Sequence, residues 1–366
     1  MLNSRPAKLI AFAIVAVLML VLPLVLQSTG SNSWVRIVDV ALLYVLLALG
    51  LNIVVGYAGL LDLGFIAFFA VGAYLYGLLA SPHLTDTFAW MAATFPDGLH
   101  MNFWIVMVLA GVLAGITGLI LGFPVLKLRG DYLAIVTLGF GEIVRIFMLN
   151  LDRPINITNG PKGLSNIDAV SVFGHRMSSS LDISIGSFSY TFQSVTLYYY
   201  LILFFVVLAI IIANRLQDSR IGRAWMAIRE DEIAAKAMGL NTRNLKLAAF
   251  GMRAIGGGVA GVLFASFMRG VYPESFILME SVMIVAMVVL GGLGHIPGVI
   301  LGALVLAGLP ELLRHVAHPL TAMTDGRLGP EILRQLLIAL AMIVIMLLRP
   351  KGLWPSPEHG KSLASK

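Results

Sequence analysis

The chain is built from long apolar runs separated by short polar connections. Ten of these runs come close to the roughly 20 residues that a helix needs to cross a bilayer. They cover approximately residues 9–27, 35–56, 60–80, 103–125, 131–150, 197–215, 247–268, 277–292, 296–313 and 331–348. The pattern predicts an all-α integral membrane protein with about ten transmembrane helices, in a range of about eight to eleven. Residues 1–366 then form a single polytopic membrane domain.

Some of these runs do not fit a simple helical crossing. The run at 60–80 and the pair at 277–313 are rich in glycine, so full, re-entrant and broken helices all stay open there. The first run follows Arg5 and Lys8 and resembles a signal peptide. Its apolar stretch is long for a signal core and no small-residue cleavage site follows, so we expect a retained first helix.

Composition and charge agree with a membrane protein and give it an orientation. Hydrophobic residues make up 59% of the chain and charged residues 12%, against about 25% charged residues in ordinary soluble domains. With the N-terminus inside, 15 of the 25 Lys and Arg residues lie inside, 7 outside and 3 within spans. The positive-inside rule therefore predicts that both termini are cytoplasmic. The net charge of +6 does not indicate nucleic-acid binding, because the basic residues flank apolar runs.

The densest cluster of charge, which we call the charged loop, runs from Arg215 to Lys246 between two apolar segments. Its centre predicts a short helix with Asp231 as N-cap, Gly239 at the C′ position and an i,i+4 pair of Glu232 with Lys236. One face of this helix carries Ile233, Ala234, Ala237 and Met238. Because so short a helix is marginal alone in water, we expect it to dock on another protein. The alternative is a solvated loop that only orients the chain.

Polar residues inside the apolar segments are candidates for the path through the membrane. Glu142 and Arg145 stand three residues apart on one predicted helix, where they form either a structural pair or, with Thr137 nearby, part of the path. Asn52 and Asp62 are the polar exceptions of residues 50–80. Asp62 is either solvated in a cytoplasmic turn or has a structural or pathway role inside the bundle.

Small residues indicate close packing and one break. A stripe of glycines at 111, 115, 118 and 122, and another at 256–258 and 261, predict close helix contacts. Gly294 and Pro297 predict a broken helix, which is a candidate pathway element. The long external segment 151–196 carries alternating Ser and Thr near 180–194, which suggests either short strands or amphipathic excursions on the membrane surface. We expect this segment to dock an external partner.

Several kinds of chemistry are missing from the sequence. There is no cysteine, no phosphate-binding G-x-x-x-x-G-K-[ST] loop, no HExxH, no GxSxG and no convincing carboxylate dyad. His295, His315 and His318 lack carboxylate or cysteine neighbours, so we interpret them as packed residues rather than metal ligands. We therefore expect no catalytic residue, no metal and no cofactor bound by this chain.

Three stretches together carry a resemblance to a known family. Residues 56–74, 220–241 and 288–303, supported by 130–146 and 158–164, resemble the LivM-type permease subunits of ATP-driven importers for branched-chain amino acids. The resemblance extends from about residue 40 to 352. The general importer signature, Glu-Ala-Ala followed by Gly, matches Glu232, Ala234, Ala235 and Gly239, with Ile233 inserted. The later Ile-x-Leu-Pro of that signature is absent.

The resemblance implies a five-part importer in a bacterial inner membrane. An external binding protein would deliver leucine, isoleucine or valine to this permease and a LivH-type partner, and LivG- and LivF-type ATPases would use ATP. Residues 216–246 would be the cytoplasmic coupling loop. Its docking charges would be Arg229, Glu230, Asp231 and Glu232, and its buried face Ile233, Ala234, Ala237 and Met238.

Two alternatives remain open at this point. A permease for urea or short amides in the same family is the close runner-up, since no pathway side chain identifies the substrate. An ion-coupled secondary transporter would need acidic residues at mid-membrane, for which Glu142 and Glu280 are the candidates. The charged loop argues against the second alternative, because a self-sufficient carrier needs no docking helix.

Overall fold

A computed structural model of the protein describes most of the chain. It covers residues 17–27, 32–96, 98–126, 128, 130–172, 175–185 and 188–323, together with 335, 336, 339, 340, 342–344, 347–349 and 352–354. The predicted cytoplasmic termini, residues 9–16 of the first run and much of the tenth run lie outside the described residues.

Helices form nearly all of the described architecture. The apolar helices are α1 (Val17–Gln27), α2 (Asn32–Asn52), α3 (Phe65–Leu79), α6 (Phe103–Val125), α7 (Asp131–Asn150), α8 (Ser194–Asp218), α11 (Thr242–Met268), α12 (Leu278–Gly291) and α13 (Ile296–Met323). The short connecting helices are α4 (His83–Thr87), α5 (Ala89–Thr94), α9 (Arg220–Glu230) and α10 (Glu232–Ala237). Five described helices are long and apolar enough to cross a membrane: α2 with its π-helical extension Ile53–Tyr57, α6, α7, α8 and α11. The multi-pass helical class is confirmed.

The glycine-rich runs at 60–80 and 277–292 form helices that are too short to cross a bilayer. α3 has 15 residues and α12 has 14, which corresponds to about 21–23 Å of helix against about 30 Å of hydrocarbon. Each follows a stretch that is mostly not α-helical, residues 58–64 before α3 and residues 269–277 before α12. These two segments therefore enter the bundle with irregular backbone, which is stable only inside protein or a polar cavity.

Glycines bring α11 into direct contact with α3 and α6. A Cβ atom added at Gly72 of α3 would collide with the backbone of Gly258 in α11. Gly118 of α6 packs against Ala254, and Gly115 against Ile255. The predicted glycine stripes thus line two close interfaces of α11, one with α6 and one with α3, where the small residues let the backbones approach closely.

Segment 151–196 contains two short antiparallel strand pairs and contributes one strand to a third. The strands are β1 (Leu164–Ser165), β2 (Ser171–Val172), β3 (His175–Arg176), β4 (Leu181–Ile185), β5 (Phe188–Phe192) and β6 (Gly270–Val271). β4 pairs with β5, which confirms the strands predicted near 180–194. β1 pairs with β6, with Leu164 opposite Val271, and so ties the external segment to the chain leaving α11.

The helices differ strongly in how far the rest of the chain covers them. The most apolar window of α2 is 78% buried, whereas that of α7 is 22% buried. α7 exposes Tyr132, Ile135 and Phe147 on its outer face. α2 therefore lies inside the bundle, and α7 offers an apolar face to lipid or to another membrane protein.

Candidate functional site

The charged loop is fixed to the ends of the long helices by α9. The Ser219 hydroxyl accepts a hydrogen bond from the backbone N–H of Gly222 at 3.1 Å and caps the start of α9. Trp225 is fully buried, and its indole Nε1 donates to the carbonyl of Leu245 at 2.7 Å. This amphipathic helix thus lies against the bundle with its indole anchored to the start of α11.

α10 has the boundaries that its sequence predicts. Asp231 Oδ1 accepts from the backbone N–H of Ile233 at 2.8 Å and of Ala234 at 3.0 Å. Gly239 has φ +84°, the left-handed conformation that favours glycine just past a helix C-terminus. Both the N-cap and the C′ glycine are confirmed.

Two contacts hold α10 against α11. Ala235 is buried with 5% exposure, and Glu232 Oε1 lies 2.6 Å from the Nζ of Lys246, whose side chain is also buried. The predicted pairing of Glu232 with Lys236 is wrong. Glu232 pairs with Lys246 instead of Lys236, because α11 places the Lys246 ammonium over the first turn of α10. This ammonium is also less solvated there.

The apolar face of α10 points away from the rest of the chain. Ile233 is 72% exposed and Met238 is 84% exposed, and Ala234 and Ala237 are exposed beside them. A rigidly anchored helix that leaves its larger apolar side chains in solvent is typical of an interaction surface. The docking charges predicted around it, Arg229, Glu230, Asp231 and Glu232, lie at the turn between α9 and α10.

Arg229 connects the charged loop to the membrane-embedded part. Its Nη1 donates to the carbonyl of Gly56 at 2.6 Å, within the π-helical extension of α2. A Cβ at Gly59, which has φ +67°, would lie 2.7 Å from Arg229 Cγ. Burial lowers the pKa of the Arg229 guanidinium below its usual value, and the neighbouring Glu230 opposes this shift. The half-buried guanidinium is thus satisfied by backbone oxygen.

The same extension contacts the break between α12 and α13. Asn52 is fully buried, and its Oδ1 accepts from the backbone N–H of Gly294 at 3.0 Å. Gly294 has φ +79°, and Pro297 lies in the first turn of α13. The structure therefore places the predicted break beside Arg229 and Gly56. His295 packs against Trp354 and its Nδ1 lies 2.9 Å from the Trp354 carbonyl.

Asp62 and Thr137 come together with Arg253 inside the bundle. Asp62 forms an ion pair with Arg253, and both side chains are buried. Asp62 Oδ1 accepts from the backbone N–H of Gly64 at 2.9 Å, while Thr137 Oγ1 accepts from that of Leu63 at 3.1 Å. A solvated Asp62 is therefore wrong. Its structural role follows from the cost of an unpaired charge at membrane depth.

Arg253 is a buried residue whose partner could not be identified from sequence reasoning. Its guanidinium carbon lies 4.5 Å from the ring centroid of Phe250 and 4.9 Å from that of Phe68. These aromatic faces add cation–π attraction to the ion pair with Asp62. The partners are 191 positions apart in the chain, and the available signal was only that a lone arginine in an apolar span needs a carboxylate.

Glu142 and Arg145 form the pair that their spacing predicts. Arg145 donates to Glu142 Oε1 from Nε at 3.0 Å and from Nη2 at 2.7 Å. Its Nη1 also lies 3.9 Å from Glu274 Oε1. The pair is partly exposed on α7, whereas Thr137 of the same helix is buried. The structure therefore separates Thr137, which joins Asp62, from this pair.

Comparison with known proteins gives consistent similarities. Residues 33–346 match a family described as the permease component of branched-chain amino acid transport systems. The chain is 40% identical over 347 residues to the high-affinity branched-chain amino acid transport system permease protein LivM of Escherichia coli (strain K12). The aligned region covers 93% of this chain and 74% of that protein. It is 26% identical to the probable branched-chain amino acid transport permease protein LivM of Methanocaldococcus jannaschii, covering 86% of this chain and 90% of that protein.

A second type of permease is also similar. The high-affinity branched-chain amino acid transport system permease protein LivH of Escherichia coli (strain K12) is 26% identical, covering 87% of this chain and 93% of that protein. No solved structure matches the chain. Among the described residues, no group of three or more His, Asp or Glu side chains is placed to hold a metal ion.

Proposed function

The chain belongs to the family of branched-chain amino acid transport permeases, and from this premise we propose that it carries leucine, isoleucine and valine across a bacterial inner membrane in an ATP-driven importer. It is a multi-pass membrane protein and a transport subunit, not an enzyme. ATP would be bound and hydrolysed by separate ATPase subunits, and this chain would bind no cofactor of its own.

The observation that carries this proposal is the exposed apolar face of α10. Ile233 and Met238 lie in solvent, while Ala235, Glu232 and Lys246 fix the opposite side of the helix to the bundle. A helix that docks into a groove uses such an apolar face for affinity and flanking charges for orientation. We infer that α10 is the coupling helix and that an ATPase subunit covers this face.

The contacts of Arg229 support a route for the mechanical signal. A displaced α10 would pull on α9, and Arg229 would pass that movement to Gly56 in the extension of α2. Asn52 then reaches Gly294 at the start of the turn into α13. Packed elements with two discrete arrangements transmit such small shifts as rigid-body rocking.

The remaining partners are proposed from other surfaces. α7 exposes a long apolar face, which supports pairing with a LivH-type permease across the path. The external segment 151–196, stiffened by its strand pairs, would receive the substrate-binding protein. The second ATPase, of the LivG or LivF type, would dock on the partner permease.

The test is co-purification of the ATPase subunits with the permease pair after charge is placed on the exposed face. Ile233→Asp with Met238→Asp is expected to reduce ATPase binding at least about tenfold. The two substitutions replace apolar side chains with carboxylates, and binding would then bury these charges in the interface. Both positions are solvent-exposed, so insertion and folding of the permease should be unchanged.

The matched control is Ile221→Asp on α9, which adds charge to the same loop at a partly exposed position outside α10. It is expected to leave ATPase binding close to wild type. Wild-type binding by the Ile233 and Met238 double variant, with leucine uptake intact, would reject α10 as the coupling helix and return the charged loop to a purely orienting role.

A further inference from the structure

A partly open cavity lies between helices of the bundle, apart from the charged loop. Its volume is about 180 Å³, and it lies among α2, α3, α11, α12 and the 3₁₀ turn before α12. Most of its wall is aliphatic or aromatic, formed by Val40, Leu43, Leu47, Ile66, Phe69 and Ile284. Three polar side chains break this apolar lining: Tyr44, Ser275 and Glu280. The cavity lining therefore combines one charged side chain with one large apolar surface.

Glu280 is half-buried and contacts α2 midway along its length. It accepts a hydrogen bond from the Tyr44 hydroxyl, with 2.7 Å between the hydroxyl and Oε2. Tyr44 is the thirteenth residue of the 26-residue apolar helix Asn32–Tyr57, so it lies midway along a span. A carboxylate at this level is costly unless a cation or a function compensates it.

Glu280 has no cationic partner among the described residues. The ion pairs of the described side chains join other carboxylates, namely Glu142, Glu274, Glu232, Asp62 and Asp168. The Tyr44 hydroxyl binds Oε2, and among the described residues no donor is bonded to Oε1 of this cavity-lining carboxylate. One neutral hydrogen bond compensates a partly desolvated anion poorly, since a charge removed from water needs charged or multiple partners.

We propose that this cavity is a transient binding site for a branched aliphatic α-amino acid on its way through the membrane. Glu280 Oε1 accepts hydrogen bonds from the α-ammonium group, the Ser275 hydroxyl donates to the α-carboxylate, and the aliphatic side chain fills the apolar wall. This site rests on the proposed function and gives it a location in this chain.

Size and charge select this class of ligand. An engineered apolar cavity of about 150 Å³ in another protein accommodates benzene, so about 180 Å³ accommodates a four-carbon branched side chain. Urea and short amides carry neither an ammonium group for Glu280 nor an aliphatic chain for the apolar wall. The cavity therefore favours amino acids over the amide alternative.

The position of Glu280 also connects the site to the charged loop. Glu280 stands in the first turn of α12, and the other end of that helix leads into the turn at Gly294 that binds Asn52. α2 contributes both Tyr44 at the cavity and the Gly56 carbonyl that Arg229 contacts. A relative shift of α2 and α12 would thus change the cavity when the charged loop moves.

The first experiment measures leucine binding to the purified importer in lipid nanodiscs, without the external binding protein. Glu280→Gln keeps the shape of the side chain and removes its charge. It is expected to weaken binding of radiolabelled leucine at least about tenfold, the effect of losing one hydrogen bond to a charged group. The matched control is Glu274→Gln, which changes an exposed carboxylate six positions earlier outside the cavity.

A second pair of variants tests the apolar wall independently of Glu280. Leu47→Ala enlarges the cavity and is expected to let unlabelled phenylalanine displace leucine better than it does from wild type. Leu42→Ala removes an equally buried leucine from the same helix but does not line the cavity. Its competition profile is expected to match wild type, which separates cavity size from general loss of packing.

A ligand analogue tests the charge without any mutation. 4-Methylpentanoate is leucine without its amino group, and it is expected to compete at least about tenfold more weakly than leucine for wild type. Equal competition by the two compounds would overturn the role of Glu280. Its role would also be overturned if the wild-type importer carries leucine and Glu280→Gln binds and takes up leucine at wild-type levels. A wild-type importer that fails to take up leucine from its binding protein would instead refute the proposed function, and with it this site.

Discussion

At the residue scale, we expect communication between the charged loop and the spans to depend on Arg229. Its guanidinium reaches Gly56 O at 2.6 Å, and the aliphatic part of its side chain lies beside Gly59. Arg229→Ala would remove this contact and leave the exposed face of α10 in place. We expect ATPase subunits to bind this variant normally, while the number of leucine molecules imported per ATP hydrolysed falls at least about tenfold.

Reconstituted vesicles with the binding protein allow import and hydrolysis to be measured together. The matched control is Arg220→Ala, which removes an exposed arginine from the same helix and should leave the ratio unchanged. If Arg229→Ala keeps the wild-type ratio of import to hydrolysis, the signal does not pass through Gly56 and Asn52, and another contact of α9 or α10 must carry it.

Whether a residue's role could be predicted depended on how near its partner lies in the sequence. The cap at Asp231, the left-handed Gly239 and the pair of Glu142 with Arg145 are all local, so spacing alone identified them. The pairs Glu232–Lys246 and Asp62–Arg253 are not local. Their partners lie 14 and 191 positions apart, and only the packing of α11 brings them together.

At the scale of elements, hydrophobic periodicity placed the helices, and backbone geometry decided which of them are short. The runs at 60–80 and 277–292 read as possible spans, but α3 and α12 begin only at Phe65 and Leu278. The irregular stretches before them depend on buried partners elsewhere, such as the contact of Leu63 N–H with Thr137. A single sequence does not contain that information.

Glycine packing of α11 gives a prediction at this scale. A Cβ at Gly258 would lie 2.6 Å from Ala114 Cβ and 2.8 Å from the Ala110 carbonyl oxygen. Gly258→Val is therefore expected to push α11 away from α6 and to destabilise the protein by about 1–3 kcal/mol or more. Thermal unfolding of the detergent-solubilised permease measures this effect.

The control for that variant is Gly139→Val on α7, where an added Cβ meets no atom within 4 Å. The unfolding temperature of this control is expected to stay close to wild type, apart from a small change in helix propensity. Equal destabilisation by the two substitutions would contradict the view that close backbone approach, rather than glycine's place in a helix, explains the stripe.

At the scale of the whole molecule, shared helices connect the cavity to the charged loop that carries the exposed face of α10. α2 carries Tyr44 at the cavity and Gly56 at the charged loop, and α12 carries Glu280 at one end and the turn toward Gly294 at the other. The sequence predicted the helical membrane class, which is confirmed, and the bounds of α10, whereas the orientation and the docking role of α10 stay predictions. The cavity needed three dimensions, because its lining comes from five separate stretches of chain.

The central claim is that an ATPase subunit covers the exposed face of α10, and site-directed labelling tests it most directly. The chain contains no cysteine, so Met238→Cys introduces a single reactive thiol. A water-soluble maleimide would be applied to the permease pair in membranes, with and without its ATPase subunits. Ile155→Cys, which replaces an exposed residue of the external segment, is the reference on the opposite side.

We predict that Cys at position 238 is labelled rapidly in the permease pair alone and at least about tenfold more slowly once the ATPase subunits are bound, since a docked interface excludes water and reagent. A maleimide carrying a photoactivatable group at the same position should cross-link to an ATPase subunit, and the reference at position 155 should react equally in both states. Equal labelling of position 238 in both states, with the ATPase subunits demonstrably bound, would contradict the account.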